Sequence, residues 1–349
     1  HLGEKDFCFS GSRFFPDSDF YVQRGPAYYW SVKMSSSRTV PSETVNSENL
    51  LGRLAGHGAT LFMSGNDEMR DIGGIWDWRR IPGITSVQND SSLLCSEAGS
   101  RNLREWVGGI SDGEIGFCAM DYDNGEVAAK KSYFFFGGEM AALGSGIRSE
   151  VDAPVLTTVA QLRSAGETVR NEAGTEFCNG NFTCRLLRAD RGALAETREH
   201  AGNWKRVTAA LSAAPVKGEL FTLTIDHGVR PENGSYAYLV AFRPEGEWGP
   251  QLLNTDSDAI HAVAEGGAIM AAFYEPGSVT LPDGSLLEAK QPALVMLRNG
   301  RFYAADPGRS RKQLEFSLGG KKLRARSRCP ARKMENCCFD RYCRQCARC

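Results

Sequence analysis

The apolar residues of this chain come in short runs, several of them alternating with polar neighbours. Examples are "YYWSVKMSS" at 28–36, "IGFCAMDY" at 115–122, "KSYFFF" at 131–136, "PVLTTVAQL" at 154–162, "ELFTLTIDHG" at 219–228 and "YAYLVAF" at 236–242. Clusters of Gly, Asn, Asp and Pro punctuate them, such as "SGND", "DNGE", "GVRPENGS" and "RPEGEWGP". A period of two bounded by turn residues describes strands with one face in a core. Amphipathic helical patterns are nearly absent, "SENLLGRLAG" at 47–56 being the best candidate. After "RPEGEWGP" the rhythm resumes in shorter runs: "AIHAVAE", "AIMAAFY", "GSVTLP", "ALVMLRNG" and "RFYAAD". The predicted fold class is all-β: a large multi-sheet β-sandwich over 1–250, then a smaller C-terminal β-sandwich over 251–320. Residues 321–349 read as a basic, cysteine-rich tail, either disordered or an artefact of gene prediction.

At 349 residues the chain can bury sizeable cores. The net charge of −1 conceals an asymmetry: from Lys321 onward ten Lys or Arg face only Glu335 and Asp340, about +8, which leaves about −9 on the first 320 residues. An acidic body argues against nucleic acid as a partner. No apolar run approaches the ~20 residues that span a bilayer as a helix, so no membrane association is expected. The chain opens on His1 within structured-looking sequence, which suggests a piece of a longer polypeptide.

Of the eleven cysteines, Cys8, Cys95, Cys118, Cys178 and Cys184 are scattered through the body, and six lie after residue 328. Cys178 and Cys184 flank "NGNFT" and read equally as a small disulfide loop or as two strand cysteines. In the tail, Cys343, Cys346 and Cys349 stand at two-residue gaps beside Cys329, Cys337 and Cys338. That spacing suits zinc or a disulfide knot, although the histidine of many zinc modules is missing. Sequons at Asn89, Asn181 and Asn233 are compatible with secretion.

"WDWRRIPGITSV" at 76–87 joins two tryptophans and two arginines in a turn-like segment. The segment could be one wall of a groove for a planar, acidic ligand, with Trp76 or Trp78 stacking on it while Arg79 or Arg80 meets its anionic group, for which the planar guanidinium is suited. Alternatively the tryptophans cap a core and the arginines are solvated. Neither His57 nor His227 has the Ser or Cys partner pattern of a hydrolase triad. His227 at a strand end reads as a hydrogen-bonded structural residue.

Several blocks, in one order, resemble polysaccharide lyase family 8, which contains the hyaluronate, chondroitin AC and xanthan lyases. They are "YYWSVKMSSSRTVPSETVNSENLLGRLAGHGATLFM", "WDWRRIPGIT", "VGGISDGEIGFCAMDY", "KKSYFFFGGEMAALGSGI" and "TIDHGVRPENGSYAYLVAF". "GAIMAAFYEPGSV" and "PALVMLRNGRFYAAD" resemble the family's small C-terminal β domain. The resemblance implies an enzyme in which an N-terminal α/α toroid carries the catalytic Asn, His, Tyr and Arg, while the β region closes the cleft. No stretch here resembles the toroid, so the base is expected on a missing N-terminal part.

In "SETVNSEN" the family's Glu-x-x-Asn pattern falls on Glu43 and Asn46. The resemblance implies that Glu43 orients or charge-balances a toroid Arg or Tyr and that Asn46 binds substrate or supports the same network. Asn49, with Glu48, belongs to this block as a hydrogen-bond partner of the loop or a further substrate contact. The expected chemistry is β-elimination from an acidic, uronate-containing polysaccharide, with no metal or redox cofactor, in an extracellular setting. A binding module that holds such a polymer without cutting it is the alternative.

Overall fold

A computed structural model of the protein describes residues 10–326 except 66, 96–99 and 254–256, together with the backbone of 337–339. All strand pairings among the described residues are antiparallel, and helix is confined to two single 3-10 turns, Gly52–Leu54 and Trp204–Arg206. The candidate helix at 47–56 shrinks to the first of these. Asn46 just before it, and Ser47 and Asn49 within it, sit at φ 54°, 61° and 53°, left-handed values that no right-handed helix accepts.

The organising layer is an eight-stranded sheet in the order Val169–Arg170, Glu176–Asn179, Phe182–Ala189, Gly234–Phe242, Glu139–Arg148, Ala128–Phe136, Gly116–Asp123, Val107–Ser111. Successive side chains along it point to opposite faces, and over the central strands both faces are buried. Cys118, Met120, Tyr122, Tyr133, Phe135, Tyr238 and Val240 enter one core; Phe117, Ala119, Phe134, Leu239 and Ala241 enter another.

The first core is closed by two four-stranded sheets. One consists of Gly11–Phe15, Phe20–Gly25, Tyr28–Lys33 and Ala59–Met63; the other of Ala193–Gly202, Val216–Val229, Pro154–Arg163 and Thr85–Val87. They contribute Tyr21, Trp30, Phe62, Val159, Phe221 and Leu223.

The second core is closed by the sheet that begins the smaller sandwich: Gln251–Leu252, Ile260–Glu265, Ala268–Phe273, Ala293–Arg298, Arg301–Ala305 and Cys337–Phe339. Here Val263, Met270, Leu294 and Met296 face the large sandwich, while Ala262, Ala271, Phe273 and Val295 face the last sheet. Burial on both faces explains why "AIMAAF" reads as a continuous apolar run and not an alternation. The last sheet is Gly277–Thr280, Leu286–Ala289, Gln313–Leu318 and Lys321–Arg326. Its final strand runs past residue 320: "GG" at 319–320, at φ 54° and 77°, makes a hairpin turn, and Ala325 is buried. The six residues 321–326 are therefore sandwich and not tail.

Cys178 and Cys184 occupy neighbouring strands, but Cys178 pairs with Thr183 and Phe177 with Cys184. Offset by one residue, the two thiols lie on opposite faces, and no disulfide joins them. The tail's zinc or disulfide motif falls outside the residues whose side chains are described.

Candidate active-site edge

The segment from Met34 to Gly58 leaves the first small sheet and returns to it, carrying "SETVNSEN" at its tip. Its base is tight. Ser42 Oγ donates to Gly52 O at 2.8 Å, Ser35 Oγ to Gly56 O at 3.0 Å, and a Cβ on Gly56 would lie 2.3 Å from Pro41 Cβ. The tip is held through its backbone. Asn49 Nδ2 donates to Glu43 O at 3.0 Å, and Thr44 Oγ1 to Asn49 O at 3.3 Å. Across the gap, Leu50 N donates to Val207 O at 2.8 Å and Ala209 N to Ser47 O at 2.9 Å. Asn49 thus serves as an internal brace, the structural role among those expected for it.

Glu43 and Asn46 are different. Both are exposed, and neither side chain has a hydrogen bond or ion pair among the described residues. A firmly held backbone therefore presents an unengaged carboxylate and an unengaged amide at the sandwich edge.

The loop 76–82 lies against the strand Pro154–Arg163. Trp76 is buried, 7% exposed, and its Nε1 donates to Gln161 O at 3.2 Å; its ring meets Trp78 edge-on at 5.4 Å. Trp78 is half-buried, with Nε1 donating to Gly73 O at 3.0 Å. Arg79 donates to Val87 O at 3.2 Å and to Ser91 O, and burial pulls its guanidinium below the ordinary value, with Asp77 opposing. Arg80 meets Glu196 Oε1 at 3.2 Å, Gln88 Oε1 at 3.2 Å and Asp77 Oδ2 at 3.4 Å. The arginines are not freely solvated; they stitch the loop to its surroundings.

Trp204, which the sequence did not single out, joins this region. A Cβ on Gly73 would lie 3.0 Å from the Trp204 ring and 3.8 Å from that of Trp78, so both indoles cover the same glycine. Trp204 belongs to the 3-10 turn that leads into Val207 and Ala209, the residues that hold the Glu43 loop. The sequence signal was no more than the glycine pair at 73–74, where a ring can lie close to the backbone.

His57, His227 and His261 are internal. His57 is buried, bonded to Ser100 O at 2.9 Å and Tyr122 OH at 2.8 Å, and burial lowers its pKa to about 4. His227 lies between Thr157 Oγ1 at 2.8 Å and Asp190 Oδ2 at 3.1 Å. His261 lies between Ser132 and Ser145 hydroxyls, each at 2.9 Å, where the two sandwiches meet.

Residues 10–244 match the family model for the polysaccharide lyase family 8 super-sandwich domain, and residues 253–315 match that family's C-terminal beta-sandwich domain. The chain belongs to polysaccharide lyase family 8. It is 33% identical over 336 residues to Chondroitinase-AC of Pedobacter heparinus, across 87% of this chain and 47% of that protein. It is 29% identical to a hyaluronate lyase of Thermasporomyces composti, across 82% and 40%. A solved structure of chondroitinase AC lyase, from a study of enzyme–oligosaccharide complexes, superposes with a TM-score of 0.83 at 29% identity, covering 90% of this chain and 51% of that one. The chain thus spans about half the length, or less, of the relatives it matches.

Proposed function

We propose that this chain is the β-sandwich half of an enzyme that cleaves uronic-acid polysaccharides of the hyaluronan or chondroitin type by β-elimination. An N-terminal α/α toroid of the same polypeptide would supply the proton-abstracting group. Family membership and relatives named as chondroitinase and hyaluronate lyase support the substrate class; their greater length supports a partner domain. The observation that carries the reading is the Glu43–Asn46 edge, where backbone hydrogen bonds fix a loop whose acid and amide are left unspent.

The chemistry explains why such an edge is useful. Removing the proton at C5 of a uronate, next to its carboxylate, builds negative charge that must be neutralised in place. A base takes the proton and an acid protonates the leaving oxygen at C4. Cations and hydroxyls gathered around a polyanion need an opposing carboxylate to hold them in register. Glu43 does this from the sandwich side, and Asn46 offers both a donor and an acceptor to the sugar chain or to the same network. Of the loop 76–82, Trp78 retains ring area for a sugar, while Trp76, Arg79 and Arg80 secure the loop. Such an enzyme would act outside the cell, where these polymers occur.

The test is to express the full-length polypeptide and this chain separately and assay both on hyaluronan and chondroitin for the ultraviolet absorbance of unsaturated uronides. Activity in the full-length protein and none in the chain alone is expected. Robust release by the chain alone would place the base within these residues. Polymer binding without cleavage by the full-length protein would favour a binding module.

A further inference from the structure

Lys131 is fully buried in the strand Ala128–Phe136, with no carboxylate partner among the described residues. Its Nζ donates to His57 O at 3.2 Å and to Gly83 O at 2.5 Å. Tyr133, two residues along on the same face, places its hydroxyl 3.0 Å from Gly58 O and 3.1 Å from Gly83 O. Gly58 and Gly83 both turn with left-handed backbone, at φ 88° and 83°. The turns touch: a Cβ on Gly83 would lie 2.3 Å from Gly58 O, and one on Gly58 would lie 2.3 Å from Tyr133 OH. Three carbonyls therefore converge on one ammonium and one phenol, with no room for a side chain between them.

The two turns end the two loops of the site. Gly58 closes the segment that carries Glu43, Asn46 and Asn49; Gly83 closes the one that carries Trp76, Trp78, Arg79 and Arg80. We infer that Lys131 is a positioning residue for the lyase reaction, which with Tyr133 fixes both loops to the central sheet and sets their spacing. This rests on the proposed function. A bare ammonium in an apolar interior is costly unless its hydrogens are placed, and burial pulls this one down to about 7. An apolar side chain would fill the space at less electrostatic cost, so the lysine is poorly accounted for by packing alone. Its donors are what the converging carbonyls of two close-packed turns require.

The experiment uses the full-length polypeptide with Lys131→Met, which keeps the volume and removes the donors. Turnover should fall about tenfold or more, because misplacement by a fraction of an ångström is felt in the rate, with a smaller change in KM. Backbone amides in 44–58 and 77–84 should exchange with deuterium faster, while those of Ala128–Phe136 keep their protection. Should the methionine variant not fold, Lys131→Gln, which retains a donor, should show the same pattern more weakly. Unchanged turnover, or lowered turnover with unchanged exchange in both loops, would overturn the inference. If the parent enzyme cleaves no uronate polymer, the proposed function fails, and the exchange measurement still decides whether Lys131 holds the loops.

Discussion

Gln161 and Asp77 exchange two hydrogen bonds as paired strands would, although one partner is a side chain. Gln161 Nε2 donates to Asp77 O at 3.0 Å, and Asp77 N donates to Gln161 Oε1 at 2.8 Å. The same amide donates to Arg80 O at 2.7 Å, and the Gln161 carbonyl accepts from Trp76. A single fully buried glutamine thus serves as the docking edge for the aromatic loop. Gln161→Ala would strip the three side-chain bonds, keep the one that its backbone carbonyl accepts from Trp76, and leave buried backbone groups unsatisfied. The expected loss is about 2–4 kcal/mol, read from urea unfolding, with Trp fluorescence reporting the loosened loop. A change below ~0.5 kcal/mol would show that water replaces the side chain freely.

Glu43→Ala separates positioning from packing. The side chain is exposed and without partners among the described residues, so stability should move by no more than ~0.5 kcal/mol. Turnover of the full-length enzyme should fall by about 10²-fold, an ordinary consequence of a misoriented reacting group. If the melting temperature drops sharply or turnover is unaffected, Glu43 is only a loop residue.

Acid should destabilise the protein through two histidines. Burial lowers His57 to about 4 and His261 to about 3. Both sit below the unfolded value of ~6.5, so between these limits the unfolded chain binds protons that the folded one refuses. Stability is therefore lost as pH falls from about 6.5 through the folded values, by a few kcal/mol for each histidine at the acid extreme. Urea unfolding at pH 7 and 4.5 should show this slope, and His261→Gln should flatten it. An equal slope in the variant would remove His261 from the explanation.

Glu265 acts in the opposite sense. Burial, then the nearby charge of Glu139, raises it to about 7. A carboxyl raised above its unfolded value of ~4.3 stabilises the fold below that value. The contribution is lost as pH rises through about 7. Glu265→Gln should raise the melting temperature at pH 8 and leave it nearly unchanged at pH 4. No gain at pH 8 would mean that the two carboxylates are well solvated where the sandwiches meet.

The layered β architecture could be read from the chain because alternation is a geometric necessity: in "GFCAM", Phe117 and Ala119 face one core, Cys118 and Met120 the other. The Glu43–Asn46 edge could be found only through the family pattern, since nothing in "SETVNSEN" itself distinguishes an unengaged carboxylate from any turn acid. Lys131 and Gln161 were invisible for another reason. Each stands in an apolar strand as one polar residue among many, and only the approach of distant turns, at Gly58 and Gly83 or at Asp77 and Arg80, gives it a task. The choice left open at Cys178 and Cys184 needed strand register, which pairing across the turn decides and composition does not.

The eight-stranded sheet has no spare side. A central strand that slid by one residue would carry the side chains of each core into the other, so neither sandwich can loosen without disturbing the other. The two family domains are thus set to melt in one step, as rooms that share a wall fall together. Variation that the fold can tolerate is pushed outward to the turns, where Glu43 and Trp78 already stand.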